Sequence, residues 1–149
     1  LKECGNNFLM NVNLLEKLDL PSLVKCEDYF LSYNKCINSV YMPHLKICGK
    51  RFLSDNVELS HIDLPSLTIV GDYFLFDNDS IKNLYLPKLE EAGNQFLYSN
   101  RKLEKAYFPE LIQAGLNFMR FNIDAKIYAP KFETDDFRFV NDSTDEFLK

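Results

Sequence analysis

Apolar and polar positions recur along the chain with a period of 22 residues. In the segment "LSHIDLP", the apolar residues Ile62 and Leu64 alternate with Asp63, a pattern typical of a β-strand with one buried face. Pro65 then ends the strand, because proline has no N–H to donate and a fixed φ. The six prolines of the chain are separated by four intervals of 22 residues and one of 21, at Pro21, Pro43, Pro65, Pro87, Pro109 and Pro130. The sequence therefore predicts a repeat.

Three further columns of the repeat have a physical interpretation. A phenylalanine followed by leucine or methionine recurs, and we expect it to fill the core, at Phe8, Phe30, Phe52, Phe74, Phe96 and Phe118. An asparagine column, from Asn34 to Asn122, is expected to satisfy backbone groups at a tight turn. All five glycines share a column that only Glu27 breaks. That column predicts either a positive φ or a close backbone approach, and a positive φ would strain Glu27 by about 1–2 kcal/mol.

A unit of 22 residues cannot bury its own apolar face, whereas stacked copies bury a continuous one. We therefore predict a β-rich solenoid of about six coils with little α-helix. No segment between prolines shows an apolar period of 3.6 residues. Equivalent strands should form one continuous parallel ladder through residues 18–20, 40–42, 62–64, 84–86 and 106–108.

The repeat also resembles a known family. The phrase L-x-x-[LI]-x-L-P, followed by glycine and then phenylalanine, is similar to the leucine-rich repeat of the bacterial surface-antigen (BspA-like) type over residues 1–132. The unit here is one residue shorter, and asparagine stands where that family has cysteine before the strand. The resemblance implies a right-handed leucine-rich repeat solenoid, a cell-surface or secreted location and recognition of host or microbial ligands.

The two ends of the sequence depart from the repeat. The first residues, "LKECGNNFL", match the middle of a unit, so we expect the chain to be a fragment of a longer protein. Residues 133–149 keep only part of the pattern, which favours a degenerate seventh turn or C-terminal cap, with a frayed tail or linker as the alternative.

The last full coil is one residue short, because eight steps rather than nine separate Asn122 from Pro130. We expect Ile123 to take the inward role of Leu103, with Ile127 inward and Tyr128 outward.

Composition narrows the function classes. A chain of 149 residues with 46% hydrophobic residues is sufficient for one domain with a core. Its net charge of −5 argues against a nucleic-acid partner, and no basic run exceeds two residues. No stretch of sequence is apolar enough to predict membrane insertion in this segment.

Candidate catalytic and metal chemistry is sparse. His44 and His61 are the only histidines, and no nucleophile elbow, phosphate-binding glycine loop or zinc-protease motif occurs. We therefore predict no enzymatic activity, no cofactor and no metal site. Sequons for glycosylation begin at Asn78 and Asn141, and only Asn141 lies outside the structural asparagine column.

Three of the four cysteines share one column, which continues as small apolar residues in later coils: Cys4, Cys26 and Cys48. Small apolar successors favour buried thiols in the core over a disulfide. Cys36 lies near the asparagine turn and should be accessible. No C-x-x-C pair is present, which disfavours zinc.

The outward positions of the strands carry the most informative pattern. They form one column of Lys17, Ser39, His61, Asn83, Lys105 and Lys126, and a second of Asp19, Tyr41, Asp63, Tyr85, Tyr107 and Tyr128. Half of the eight tyrosines lie in the second column. Tyrosine is favoured at interfaces, but it is also favoured on exposed strands, so both interpretations stand.

The leading functional prediction is a binding module that contacts a protein or peptide partner through the strands. Its candidate contact residues are Tyr41, Tyr85, Tyr107 and Tyr128 with His61, Asp63 and Lys105. Two alternatives are a carbohydrate-binding module, in which the tyrosines stack on sugars, and a spacer that carries another domain.

Overall fold

A computed structural model describes residues 1–134 and shows a parallel β-solenoid of about six coils of 22 residues, with no helix in this part of the chain. All but the first two residues of the proposed cap at residues 133–149 lie outside the described residues. The sequon at Asn141 also lies outside them. The twelve strands are β1 (Glu3–Cys4), β2 (Lys17–Asp19), β3 (Lys25–Cys26), β4 (Ser39–Tyr41), β5 (Ile47–Cys48), β6 (His61–Asp63), β7 (Ile69–Val70), β8 (Asn83–Tyr85), β9 (Glu91–Ala92), β10 (Lys105–Tyr107), β11 (Gln113–Ala114) and β12 (Lys126–Tyr128).

Each coil contributes one strand to each of two sides. The odd-numbered strands form one six-stranded sheet in the order β1-β3-β5-β7-β9-β11. The even-numbered strands form two three-stranded sheets, β2-β4-β6 and β12-β10-β8. All paired neighbours are parallel. The parallel pairing of the even-numbered strands is thus confirmed, with each strand starting one residue earlier than predicted. The prediction of one continuous ladder is wrong, because β6 and β8 are not paired.

The core is a stack of identical side chains. Phe30, Phe52, Phe74 and Phe96 are fully buried. Consecutive rings from Phe8 to Phe118 stack with centroids 5.1–5.6 Å apart. The leucine after each of the four buried rings is also fully buried. The predicted core role of the Phe-Leu pair is therefore confirmed, and dispersion between stacked rings stabilises each coil against its neighbours.

The asparagine column links the coils through its amides. The backbone N–H of Asn34 donates to Oδ1 of Asn56 at 2.7 Å, and that of Asn56 donates to Oδ1 of Asn78 at 2.9 Å. The Nδ2 of Asn56 donates to the Leu31 carbonyl of the preceding coil at 2.9 Å. These asparagines are fully buried, so the amides replace the water that would otherwise solvate the turn. The predicted role of the column is confirmed.

The glycine column allows close approach of successive coils. No glycine has a positive φ, so the first of the two explanations is wrong, and Glu27 does not have the strained backbone that it implied. A Cβ on Gly71 would lie 2.7 Å from the carbonyl carbon of Gly49 and 2.8 Å from the Lys50 nitrogen. Real Cβ atoms do not approach backbone so closely, so glycine is required there by the neighbouring coil.

Left-handed backbone lies instead in the turn that contains the Phe-Leu pair. Three alternate residues per coil adopt it, for example Tyr73, Leu75 and Asp77 with φ of 60°, 50° and 56°. The N–H of Tyr73 donates to the next coil, at Asn94, that of Leu75 donates to the preceding coil, at Phe52, and that of Asp77 donates to the next coil again. These hydrogen bonds to both neighbours offset the cost of left-handed conformation in non-glycine residues.

The short last coil differs from the prediction at one residue. Ile123 is 74% exposed and is not inward, whereas Ala125 is 2% exposed and occupies the place of Leu103 one coil earlier. The Ala125 N–H donates to Asn122 as the Leu103 N–H donates to Asn100. The missing residue therefore falls just before β12 rather than early in the turn. Ile127 is buried and Tyr128 is not, as predicted.

The glycine contacts predict a large difference between two alanine substitutions. Gly71→Ala should lower the free energy of unfolding by about 1–3 kcal/mol, because its Cβ would overlap the backbone of Gly49. Gly5→Ala is the matched control, since its Cβ would meet nothing within 4 Å. Urea unfolding measures both variants. Equal stability of the two would show that close coil approach is not what selects glycine.

Candidate functional site

The strand face consists of the outward side chains of the even-numbered strands, which form the two columns predicted from the sequence. In β8, Asn83 and Tyr85 are exposed and Leu84 between them is buried. The same sidedness holds along the solenoid: the outward residues are exposed or half-buried, and the residue between them is half-buried or buried. The predicted orientation of the two columns is confirmed.

The structure brings three of the four column tyrosines together. The rings of Tyr85 and Tyr107 lie 6.3 Å apart with planes tilted by 47°, and those of Tyr107 and Tyr128 lie 5.2 Å apart and nearly parallel at 8°. Tyr85 is 42% exposed. Tyr41 stands apart, because the strand that pairs with its own carries Asp63 at the equivalent position. The predicted row of four is therefore a stack of three plus one separate ring.

The other predicted contact residues occupy different parts of the strand face. Lys105 is half-buried at the start of β10, in the same strand as Tyr107. His61 and Asp63 are exposed on β6, and His61 Nδ1 lies 2.9 Å from the Ser60 hydroxyl. His61 and Asp63 thus belong to the half of the face that carries Tyr41, while Lys105 belongs to the half that carries the tyrosine stack.

A gap between β6 and β8 separates these halves. We call it the slot. It is a cavity of about 500 Å³ whose walls are residues 60–63 on one side and Ser80, Lys82 and Asn83 on the other, with Val40 also in its lining. Most Cα–Cα distances between β6 and β8 exceed 8 Å, whereas most of those between paired neighbouring strands do not. The solenoid stays closed on its other side, where β7 and β9 pair.

Sequence patterns did not reveal the slot. One feature of the sequence coincides with it: Ile62 of β6 and Leu84 of β8 are the bulkiest neighbouring pair in their inward column, which elsewhere sets Val40 or Ala106 beside a larger residue. Each of the two fits the repeat pattern on its own. The mismatch appears only when successive coils are stacked.

A second aromatic surface, the turn surface, lies at the residues that follow the Phe-Leu pair, among them Phe76, Tyr98 and Arg120. Phe76 and Tyr98 stack with centroids 5.2 Å apart, and Phe121 meets Tyr98 edge-on at 5.1 Å. The guanidinium of Arg51 lies 4.6 Å from the Tyr73 ring centroid, a cation–π contact. The cluster is therefore largely occupied by its own internal contacts.

The cysteine column is buried as predicted for Cys26 and Cys48, while Cys4 is half-buried and Cys36 is exposed; all four thiols are free. A hydrogen bond with Cys26, together with burial, raises the pKa of the Cys4 thiol far above its usual range. For Cys26, the hydrogen bond with Cys4 lowers the pKa, but the hydrogen bond with Cys48 and burial outweigh it and raise the pKa strongly.

Two further properties of residues 1–134 bear on possible chemistry. No cluster of three or more histidine, cysteine, aspartate or glutamate side chains within this range could hold a metal ion. No helix in the same range is long and apolar enough to cross a membrane.

Comparison with known proteins adds no family: no family model, no curated protein and no solved structure matches this chain. The similarity to BspA-like leucine-rich repeats therefore stays a prediction. The parallel β-solenoid is established by the structure alone.

Thiol accessibility and pKa together predict selective labelling. In native protein at pH 8, Cys36 should react fast with a thiol reagent. Cys26 and Cys48 should react slowly because they are buried, and Cys4 should react slowly because its raised pKa keeps it protonated. Mass spectrometry of timed samples gives the order, with denatured protein as the control in which all four react. Rapid native labelling of Cys26 would contradict the buried column.

Proposed function

We propose that the chain is a non-catalytic binding module that recognises a protein or peptide partner through the strand face. The observation that supports this most strongly is the stack of Tyr85, Tyr107 and Tyr128, set in successive coils. Tyrosine offers a wide apolar contact area and a hydroxyl group with few rotatable bonds, which is why it is enriched at binding hot spots.

The stack is also preorganised. Its residues lie in β8, β10 and β12, whose pairing fixes their backbone. The nearly parallel contact between Tyr107 and Tyr128 further restricts both rings. Side chains that are already ordered lose less conformational entropy on binding, so more of the contact energy appears as affinity. A partner would therefore meet a rigid surface rather than flexible loops.

Ring geometry favours a protein or peptide over a carbohydrate. A sugar stacks on the face of an aromatic ring, but Tyr107 and Tyr128 cover each other's inner faces at 5.2 Å. A partner would therefore meet the edges of the stacked rings, beside the neighbouring column of Lys105 and Lys126. Ring edges suit apolar side chains and backbone carbonyl groups better than the flat face of a sugar. Carbohydrate binding and a spacer role are the alternatives that the experiment below separates. The surface or secreted location implied by the family resemblance is part of the same proposal.

The proposal predicts that the double variant Tyr85→Ala/Tyr107→Ala folds but binds poorly. Its free energy of unfolding should change by about 0.5 kcal/mol per site, or somewhat more where rings stack. Affinity for the partner should fall by about 2 kcal/mol or more, which is roughly thirtyfold. Parent and variant are compared on a displayed peptide library and a glycan array, and the affinity for each ligand found is then measured by calorimetry.

The matched control is Tyr29→Ala/Tyr33→Ala. These tyrosines are 37% and 40% exposed, close to Tyr85, but lie outside the strand face. The control variant should bind like the parent. Ligands found only on the glycan array would favour the carbohydrate alternative, and an absence of ligands on both would favour the spacer. Equal binding by the Tyr85/Tyr107 variant and the parent would move the site to the turn surface of Phe76, Tyr98 and Arg120.

A further inference from the structure

The slot exposes the backbone edges of two strands to each other. At every other junction along the even-numbered strands, the first residue of a strand donates to the coil before it, as His61 does to Asn38 at 3.1 Å and Lys105 does to Lys82 at 3.2 Å. Across the slot, Asn83 and Ser60, both within the described chain, make no such bond. The residue after a strand likewise donates to the next coil, as Met42 does to Asp63 at 3.1 Å, but Leu64 makes no corresponding bond.

The hydrogen bonds of neighbouring residues show which backbone N–H groups of β6 and β8 point into the slot. Successive N–H groups of a strand point to opposite edges, and that of His61 points to β4. The N–H groups of Ile62 and Leu64 therefore point into the slot from one side. On the other side, the N–H of Leu86 donates to Tyr107 in β10, so the N–H of Asn83 points into the slot. Leu64 is almost fully buried, and a buried backbone N–H requires a partner.

We propose that the slot binds an extended peptide segment of the partner as an added strand between β6 and β8. The inference rests on the proposed function, because the slot opens in the strand face, and it narrows the partner to one that can present an extended segment. Recognition of this kind uses main-chain hydrogen bonds for affinity and alternate side chains for specificity.

The dimensions of the slot suit a strand. Hydrogen-bonded strands lie about 4.8 Å apart, so a strand inserted between two others requires a separation of about 9.6 Å. Most Cα–Cα distances between β6 and β8 exceed 8 Å, so the gap is wider than that between paired strands, and a modest further opening would admit a strand. The cavity of about 500 Å³ lies in the size range of ligand pockets. A peptide also supplies donors and acceptors at the spacing of a β-strand along both of its edges, which a sugar or an apolar ligand does not.

The walls of the slot specify the side chains of the occupant. Its inward residue would lie beside Ile62, which is half-buried and lines the slot, and next to the buried Leu84 of β8, so a small apolar residue is expected there. Its outward residues would lie beside His61, Asp63 and Lys82, a mixed set of charges that suits polar residues of either sign. The expected occupant is therefore a short strand with a small apolar residue flanked by polar ones.

The test uses the full chain and a peptide with the sequence of residues 103–108, Leu-Glu-Lys-Ala-Tyr-Phe, acetylated and amidated at its ends. This segment contains β10, which already pairs in parallel with the other edge of β8 and places the small Ala106 inward. Amide hydrogen exchange is followed residue by residue by NMR. Without the peptide, Ile62, Leu64 and Asn83 should exchange at least about tenfold faster than the paired residues Val40, Met42 and Lys105. Saturating peptide should slow the slot amides by a similar factor.

Two controls separate backbone pairing from side-chain contact. The same peptide N-methylated at its lysine and tyrosine amides keeps its side chains but loses two donors, and it should bind at least about tenfold more weakly. Asn83→Pro removes one donor that faces the slot at the first residue of a strand, where proline is tolerated, and it should weaken binding of the unmodified peptide by about tenfold.

The proposal is overturned if the slot amides exchange as slowly as their paired equivalents, if the peptide leaves their exchange unchanged, or if the N-methylated peptide binds as well as the parent peptide. The last comparison needs no variant and so does not depend on how Asn83→Pro folds. The peptide experiment reads the slot through the amides of Ile62, Leu64 and Asn83 and does not depend on the tyrosine stack, and the Tyr29→Ala/Tyr33→Ala variant should bind the peptide within about twofold of the parent. Failure of the tyrosine stack as the partner site would thus be distinguishable from failure of the slot.

Discussion

Backbone hydrogen bonding between successive coils is the constraint on which the rest of this molecule depends. Up to the short last coil, it places each residue directly above the residue 22 positions earlier, as in the pairing of Cys26 with Cys48 and of Val40 with Ile62. Every position must then pack against a copy of itself, so each column accepts only residues that stack well on their own kind. Phenylalanine stacks by its rings, asparagine by its amide and glycine by lacking a side chain.

This constraint explains which parts of the structure could be predicted from the sequence. Columns with a strict requirement show it in their composition, so the sequence predicted the core role of Phe74 and the amide role of Asn56. It also showed that glycine is required at Gly71, but not whether a positive φ or a close approach is the reason. The sequence also predicted which side chains of the strands point outward, because three residues of alternating polarity, such as His61, Ile62 and Asp63, already show the period of a strand.

The remaining features lacked such a signal for physical reasons. The odd-numbered strands are two residues long, which is too short for an alternation to appear. The left-handed turn positions are filled by side chains as different as Arg51, Tyr73 and Gln95, because hydrogen bonds to both neighbouring coils hold the backbone whatever the side chain. Ile123 was misplaced because an isoleucine suggested an inward position, whereas the site one coil beyond Leu103 is filled by Ala125. The separation of Tyr41 from the tyrosine stack depends on Asp63 and on the slot, and the slot depends on how two coils fit.

The slot also has a consequence for how the solenoid holds together. In a linear array, each coil is stabilised only by its own contacts and by those with the coils on either side. The coils that begin with β6 and β8 lack the strand pairing that the other neighbours have on that face, and they are joined instead by the β7–β9 pairing, the phenylalanine stack and hydrogen bonds of the turn. We therefore expect the coupling between coils to be weakest at the centre of the array. The coils of β2, β4 and β6 and those of β8, β10 and β12 should then unfold as two groups, and an occupant of the slot should make them unfold as one.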